Sequence, residues 1–412
     1  MVRWRVAGVI LLLVVLGAGA AFALRGRIAV AAMTRLYAHA FADDPYAGLG
    51  DGLHVGLCGS GSPMPDPTRA GPCTAVLAGQ RLFVVDVGAG AQKTLALMNL
   101  PPPRIEAVFL THFHSDHIDG LGELMLQRWA GGANVRPLPV YGPTGVDGVV
   151  HGFEAAYALD RGYRVAHHGP IVVPPSGFGG APHPFVADRK APDVVLIDDG
   201  GLKVTAFPVD HSPVDPAVGY RFDYKGRSVV VSGDTAPSAR LEAAAHGADV
   251  LVHEGLAPNL VAIQHAQALK AGRANLAAIT HDILSYHTSP EAAARIAERA
   301  QVRYLLFTHI IPPLPVRALD GPFLGGARDI FHGTVRVGHD GDFLSLPAGS
   351  TCADAAPALR SYASFTQAAE ENGLSRILVG FHFRNAVEEG IQHGRAIGNL
   401  VVDGALRPLE RR

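Results

Sequence analysis

From His54 onward the chain alternates short apolar runs with glycine-rich turns: HVGLCGSG, TAVLAG and RLFVVDVGAG, then QKTLALMNL with helical spacing, then EAVFLTH. Apolar runs of four to seven residues, rich in β-branched side chains and cut by Gly, predict strands. Helical patterns between them make the predicted class α/β, a sandwich with mixed sheets. Gly120–Ala130 (GLGELMLQRWA) predicts a helix, and PLPVYGP after it a strand. Strand patterns resume in LKVTAFPVDHS, VGYRFDYKG and SVVVSGDT, and a helix–strand pair follows in EAAARIAERAQ and VRYLLFTH. Gly169–Pro192 is rich in Pro and Gly and lacks periodicity, which predicts a surface insertion. Arg27–Phe41 has apolar positions at helical spacing and predicts a linker helix.

The N-terminus has a different pattern. Arg3 and Arg5 precede an uncharged, mostly apolar stretch from Val6 to Leu24, closed by Arg25 and Arg27. This predicts a membrane-targeting segment, either a cleaved signal peptide ending near Ala21-Phe22-Ala23 or an uncleaved anchor of nineteen residues. Either fate places the body outside the cytoplasm, membrane-anchored or secreted. The expected division is 1–27 signal peptide or anchor, 28–50 linker helix, 51–348 body and 349–412 helical tail.

Composition adds limits. With 412 residues, 48% hydrophobic and 17% charged, the chain has ordinary globular composition and disorder is excluded. The net charge of -2 comes from scattered, balanced charges with no polybasic run, so electrostatics do not imply nucleic acid. Of three cysteines, Cys58 and Cys73 are placed for a bridge or remain buried free thiols, and Cys352 is left over. No CxxC spacing exists, which excludes a thiolate zinc site.

The chemistry-bearing stretch is VFLTHFHSDHIDG, where His112, His114, Asp116 and His117 fall within six residues after an apolar run. Imidazole and carboxylate suit borderline divalent cations. A regular helix or strand cannot aim all four at one ion, whereas a loop leaving a strand can fan them out: His112 and His114 toward one ion, Asp116 and His117 toward a second. Three more donors share one local logic, a ligand type at the C-terminal end of an apolar strand. These are His211 after VTAFPVD, Asp234 in VVVSGDT and His309 ending YLLFTH.

These motifs resemble the metallo-β-lactamase superfamily, in its RNase Z and arylsulfatase-like branch. The likeness runs from about His54 to Leu346 through GSGSPMPDPTRAGP, DVGAGAQ, HFHSDH, VDHSP, GYRFDYKGRSVVVSGDT, LVHEG, YHTSPEAAARIA and LLFTH. It implies a four-layer αββα sandwich and two divalent metal ions, Zn²⁺ first with Mn²⁺ or Fe²⁺ also admitted. It assigns His112, His114 and His211 to the first ion, Asp116, His117 and His309 to the second, and Asp234 as the bridging carboxylate. The implied activity is hydrolysis, with a bridging water whose pKa falls from about 15.7 toward about 7 supplying the hydroxide nucleophile. Asp116 would double as proton acceptor, and His287 in YHTSPE, with Glu254 in VHEG, would protonate the leaving oxygen. Asp86 is expected to support the metal loop without touching metal. His281 and Asp282 are read as structural or pocket-lining.

One departure bears on substrate. The family's RNase Z members carry a Gly/Pro-rich arm with basic residues for RNA phosphates, and Gly169–Pro192, expected near the active-site mouth, holds only Arg189 and Lys190 as bases. With the export signal, this makes nucleic acid the unlikely partner and a small ester the expected one: a phosphodiester, sulfate ester or lactone. The alternative is an RNase Z-like phosphodiesterase on nucleic acid. A homodimer is compatible with the sequence.

Past Leu346, SYASFTQAAEENGLSRILVGFHFRNAVEEGIQHGRAIGN resembles the last motif of the vanadium haloperoxidase and type 2 phosphatidic acid phosphatase superfamily. Ser375, Arg376 and His382 fit, but Ala386 replaces the orienting Asp and the partner motifs are not found in order upstream. A non-catalytic remnant is expected, with a tail phosphatase or haloperoxidase activity as the rival.

Overall fold

The computed structural model describes residues 49–350 continuously, together with 19, 22–35, 37, 38, 44 and 46. The described residues 49–350 fall within one compact unit. This unit carries two seven-stranded sheets packed face to face.

The first sheet contains β1 (Gly52–Gly59), β2 (Cys73–Ala78), β3 (Arg81–Val85), β4 (Ile105–Phe109), β5 (Leu138–Pro143) and β6 (Gly180–Phe185). The second contains β7 (Val194–Asp199), β8 (Leu202–Pro208), β9 (Val218–Tyr224), β10 (Arg227–Val231), β11 (Val250–Leu256), β12 (Tyr304–Ile311) and β13 (Thr334–Val337). A final strand, β14 (Phe343–Pro347), returns to the first, giving the orders β14-β1-β2-β3-β4-β5-β6 and β13-β12-β11-β10-β9-β8-β7. Each sheet is antiparallel in one half and parallel in the other, β3 to β6 and β10 to β13 being the parallel halves. Cys58 and Cys73 are disulfide-bonded across β1 and β2.

The period-2 pattern explains the layers. Val250 and Val252 face Phe83, Val85 and Phe109 in the core between the sheets, while Leu251 packs outward with Leu241, Ala293 and Ile296 from the helices. Helices Ala91–Leu97, Leu121–Gly132 and Val146–Val172 lie against the first sheet, and Ala239–Ala244 and Pro290–Arg299 against the second. The αββα expectation therefore holds for this unit.

Two local readings change. Gly169–Pro192 is not a free insertion: helix Val146–Val172 enters it, kinked at Gly169 (φ 78°, ψ 163°) before Pro170, and β6 pairs in parallel along the whole of β5. Pro182 and Pro184 have the same parity, so their missing N–H groups fall on one side, which an edge strand can turn away from its neighbour. The prolines read as loop signals and are edge-strand residues. Second, β12 does not stop at His309. It runs on to Ile311, and the register against β11 slips between Glu254 and Gly255, leaving His309 as an extra residue at φ 46°.

Residues 22–35 are helical and so overlap the predicted linker helix. The predicted membrane segment lies mostly, and the tail past Ser350 wholly, outside the described residues. Among the described residues no helix is long and apolar enough to cross a membrane.

Candidate metal centre

The parallel halves of both sheets deliver their strand ends to one place. β3 leads to Asp86, β4 leads into Thr111–His117, β10 leads to Asp234, and the bulge in β12 presents His309. His114 is extended (φ -61°, ψ 147°), and Ser115–Ile118 then make a single helical turn. That switch splits the loop's donors into the pairs expected, since Asp116 and His117 are on the turn and His112 and His114 precede it.

Side chains of His112, His114, His211 and Asp234 offer ligand atoms within 4.8 Å of one another, and so do those of Asp116, His117 and His309. In the first set, His112 Nε2 is 3.0 Å and His211 Nε2 3.4 Å from His114 Nδ1. In the second, His309 Nε2 is 3.2 Å and His117 Nε2 3.6 Å from Asp116 Oδ2. Asp234 Oδ2 stands between the sets, 3.3 Å from His309, 3.4 Å from His117, 3.8 Å from His211 and 3.9 Å from His112. Donors about 2.1 Å from a shared tetrahedral ion stand about 3.4 Å apart, so this spacing suits two ions sharing one carboxylate. His117 Nε2 and Asp234 Oδ1 are buried without a hydrogen-bond partner, a costly state that a cation between them would relieve. The residues fit two divalent ions.

The far sides of the rings are held by the protein. Asp86, itself at φ 57°, accepts from Thr111 N and Thr111 Oγ1, both at 2.8 Å, and from His117 Nδ1 at 2.9 Å. His112 Nδ1 is 3.0 Å from Thr111 Oγ1, and His211 Nδ1 donates to the Tyr286 carbonyl at 3.1 Å. With those nitrogens committed, Nε2 of His112, His117 and His211 is the one left for a ligand. Sequence reading anticipated the supporting role of Asp86. It missed Thr111, whose hydroxyl is not a ligand type, and Tyr286, whose backbone carbonyl leaves no mark on residue type.

Charge is unevenly placed. Burial lowers the pKa of His112 well below its ordinary value and also lowers His114 and His211, favouring the neutral imidazole a cation requires. Burial also opposes charge on His117, but Asp234 and Asp86 outweigh it and hold its pKa well above the usual range. Against the same burial, His309 and His117 keep Asp234 well below the ordinary carboxylate value. Asp116 is likewise lowered, burial being outweighed by the His309 hydrogen bond.

His287 and Glu254 lie beside this centre. A ring nitrogen of His287 is within 4.8 Å of ligand atoms of Asp234 and His309. His287 Nδ1 is 3.4 Å from Glu254 Oε2, a charge pair without a well-aligned hydrogen bond, and Glu254 Oε1 accepts from Thr288 N at 2.6 Å. Burial works against the His287 cation, yet Glu254 raises its pKa above the ordinary value. His281 and Asp282 are solvent-exposed, 3.3 Å from each other, and take no part.

A family model described as "Beta-lactamase superfamily domain" matches residues 81–310. A second, "VCPO second helical-bundle domain", matches residues 331–411, in keeping with the resemblance seen in the tail, although its first residues overlap β13 and β14 of the sandwich. The chain is 38% identical over 290 residues to ribonuclease Z of Mycobacterium avium (strain 104), covering 70% of this chain and 96% of that protein. It is 36% identical over 291 residues to ribonuclease Z of Mycolicibacterium gilvum (strain PYR-GCK), covering 70% and 94%. The solved short form of human tRNase Z has a TM-score of 0.51 at 22% identity, covering 71% of this chain and 99% of that one, and shares the fold.

These relatives overturn two expectations. The small ester as substrate, with nucleic acid unlikely, gives way before proteins named ribonuclease Z that align along nearly their whole length. The count of bases in Gly169–Pro192 misled because that stretch is built into a helix end and an edge strand. Placement outside the cytoplasm is also withdrawn: the ribonuclease Z relatives lend no support to export, and no described helix is long and apolar enough to cross a membrane. By the family match, the identity to these relatives and the two-sheet fold, the chain belongs to the β-lactamase superfamily domain family and is a metallo-β-lactamase-fold, metal-dependent hydrolase.

Proposed function

We propose that this chain is a binuclear metal-dependent phosphodiesterase acting on nucleic acid, RNA in the first place. The observation that carries it is the convergence of seven donors, with Asp234 Oδ2 shared between two sets, in a chain 38% identical to a ribonuclease Z. His112, His114 and His211 would hold one ion, Asp116, His117 and His309 the other, and Asp234 both. Zinc suits these N and O donors best, with Mn²⁺ and Fe²⁺ as alternatives. Two such ions, when bound, lower the pKa of water and neutralise charge on a phosphoryl group.

The chain's own groups supply the rest. The Asp116 carboxylate, 12% exposed, faces the centre from the second set and is placed to accept a proton. His287, its charged form favoured by Glu254, is placed to give a proton to the leaving oxygen. The hydrogen bonds of Asp86 and the Tyr286 carbonyl fix the rings before substrate arrives, so little reorganisation is left for the reaction.

The test is metal analysis of the purified chain together with cleavage of RNA and of bis(p-nitrophenyl) phosphate, before and after chelation. The expected outcome is two ions per chain, RNA cleavage, and loss of activity restored by added zinc. One ion per chain, or RNA left intact by the metal-loaded protein, would sink the reading.

A further inference from the structure

A half-buried tyrosine stands next to the proposed proton donor. Tyr286 has its ring centroid 5.0 Å from that of His287 and 5.4 Å from that of His211, at interplanar angles of 49° and 76°, so neither histidine lies flat on it. On its other flank Tyr286 packs, with Met64, against a small apolar cluster of Leu256, Val261, Ile283 and Ile311. This cluster is separate from both large cores. The strand ends therefore carry an apolar patch directly beside a strongly polar centre.

Both sides of the patch are fixed. Met64 is carried by the loop after β1, where Asp340 accepts from Ser60 N at 2.9 Å, Ser60 Oγ at 2.8 Å and Ala70 N at 2.6 Å, and Arg69 donates to Ser60 Oγ at 2.6 Å. Tyr286 is fixed from the next residues, where Thr288 N donates to Glu254 and Thr288 Oγ1 donates to the Thr235 carbonyl at 2.5 Å. What His211 takes from Tyr286 is the backbone carbonyl, so the side chain is not needed to orient that ring. A large ring left half-open beside an acid, with no hydrogen bond required of it, has room for another task.

We propose that Tyr286, backed by Met64, is a specificity-determining residue that stacks the nucleobase carried by the leaving side of the scissile phosphodiester. The proposal rests on the function given above. If His287 protonates the leaving oxygen, the group attached to that oxygen lies within a few ångströms of His287, and Tyr286 is the aromatic ring at that position. Aromatic faces hold bases without reading sequence, because every base has a π-face. The polarizable thioether of Met64 suits the edge of such a ring.

The test uses the zinc-loaded full chain and two ligands, adenosine 5′-monophosphate and ribose 5-phosphate, with affinities from calorimetry and turnover of RNA measured alongside. Wild type is expected to bind the adenosine ligand more tightly. Y286L should weaken it by about tenfold and leave ribose 5-phosphate unchanged, Y286F should match wild type, and M64A should give a smaller loss. Equal affinity of wild type for both ligands, an equal loss of both in Y286L, or Y286F behaving as Y286L would each overturn the stacking role. If RNA is cleaved and the base preference is missing, this inference fails alone; if the metal-loaded chain cleaves no RNA, it falls with the function.

Discussion

The two ends of the sandwich treat charge in opposite ways. At the end where β10 begins, a cavity of about 450 Å³ is lined by Arg221, Lys225, Arg227, Asp198 and Asp223 among others. There Arg221 pairs with Asp223 at 3.0 Å, and buried Arg227 pairs with buried Asp249 at 3.0 Å while also donating to the Pro347 carbonyl and Ser350. Lys225 pairs with Asp51. At the end where β10 stops, seven imidazoles and carboxylates crowd together, and His117 Nε2, Asp234 Oδ1 and His309 Nδ1 are buried without hydrogen-bond partners. Pairing of opposite charges at one end serves the fold. Crowding of donors at the other is tolerated because the site is completed by something the chain does not encode.

That contrast predicts a division between activity and stability. The largest effect belongs to the crowded end: Asp234→Ala removes the carboxylate shared by both donor sets, and kcat/KM on RNA should fall by about three orders of magnitude with less bound zinc by mass spectrometry. Melting temperature of the metal-free protein should change little, and a large drop there would break the contrast. Next comes Arg227→Ala, which removes one of two guanidinium partners of buried Asp249 and leaves it Arg303 at 2.7 Å. A loss of about 2 kcal/mol is expected, read as a melting temperature lower by roughly 4 °C, with kcat unchanged in the folded fraction.

Asp86→Ala sharpens the distinction, since it touches His117 and Thr111 and no other part of the site. Zinc affinity, measured by competition with a chelator, should weaken about 10- to 100-fold, and excess zinc should recover most of the activity. The smallest effect is expected from Lys225→Ala at the paired end, whose partner Asp51 is exposed: neither melting temperature nor RNA cleavage should change measurably.

How much of this was legible depended on sequence distance. The HFHSDH loop could be recognised because its four donors fall within six residues and one backbone switch, extended to helical at His114, separates them. His211 and Asp234 were legible as donors just past apolar strands. His309 was found for nearly that reason, but it occupies a bulge within β12 at φ 46°, and a bulge is set by pairing with β11, which local pattern does not record. β6 was missed because Pro182 and Pro184 carry turn signals, and only pairing with β5 reveals that their parity is harmless on an edge. The substrate expectation failed by the same step, because bases were counted on a stretch assumed to be a free arm.

The sequence by itself determined an α/β sandwich with mixed sheets, the types of donor and the pairing of His112 with His114 and of Asp116 with His117, since residue type, period and spacing are local quantities; the αββα layering and the full donor sets were what the family resemblance implied. Tertiary structure decided what depends on groups far apart in the chain. It brought Asp234 between rings from both sheets, turned the Tyr286 carbonyl onto His211, and set the Tyr286 ring beside that of His211. Such contacts join residues separated by scores of positions, and the packing of two sheets, not any one segment, fixes their distances.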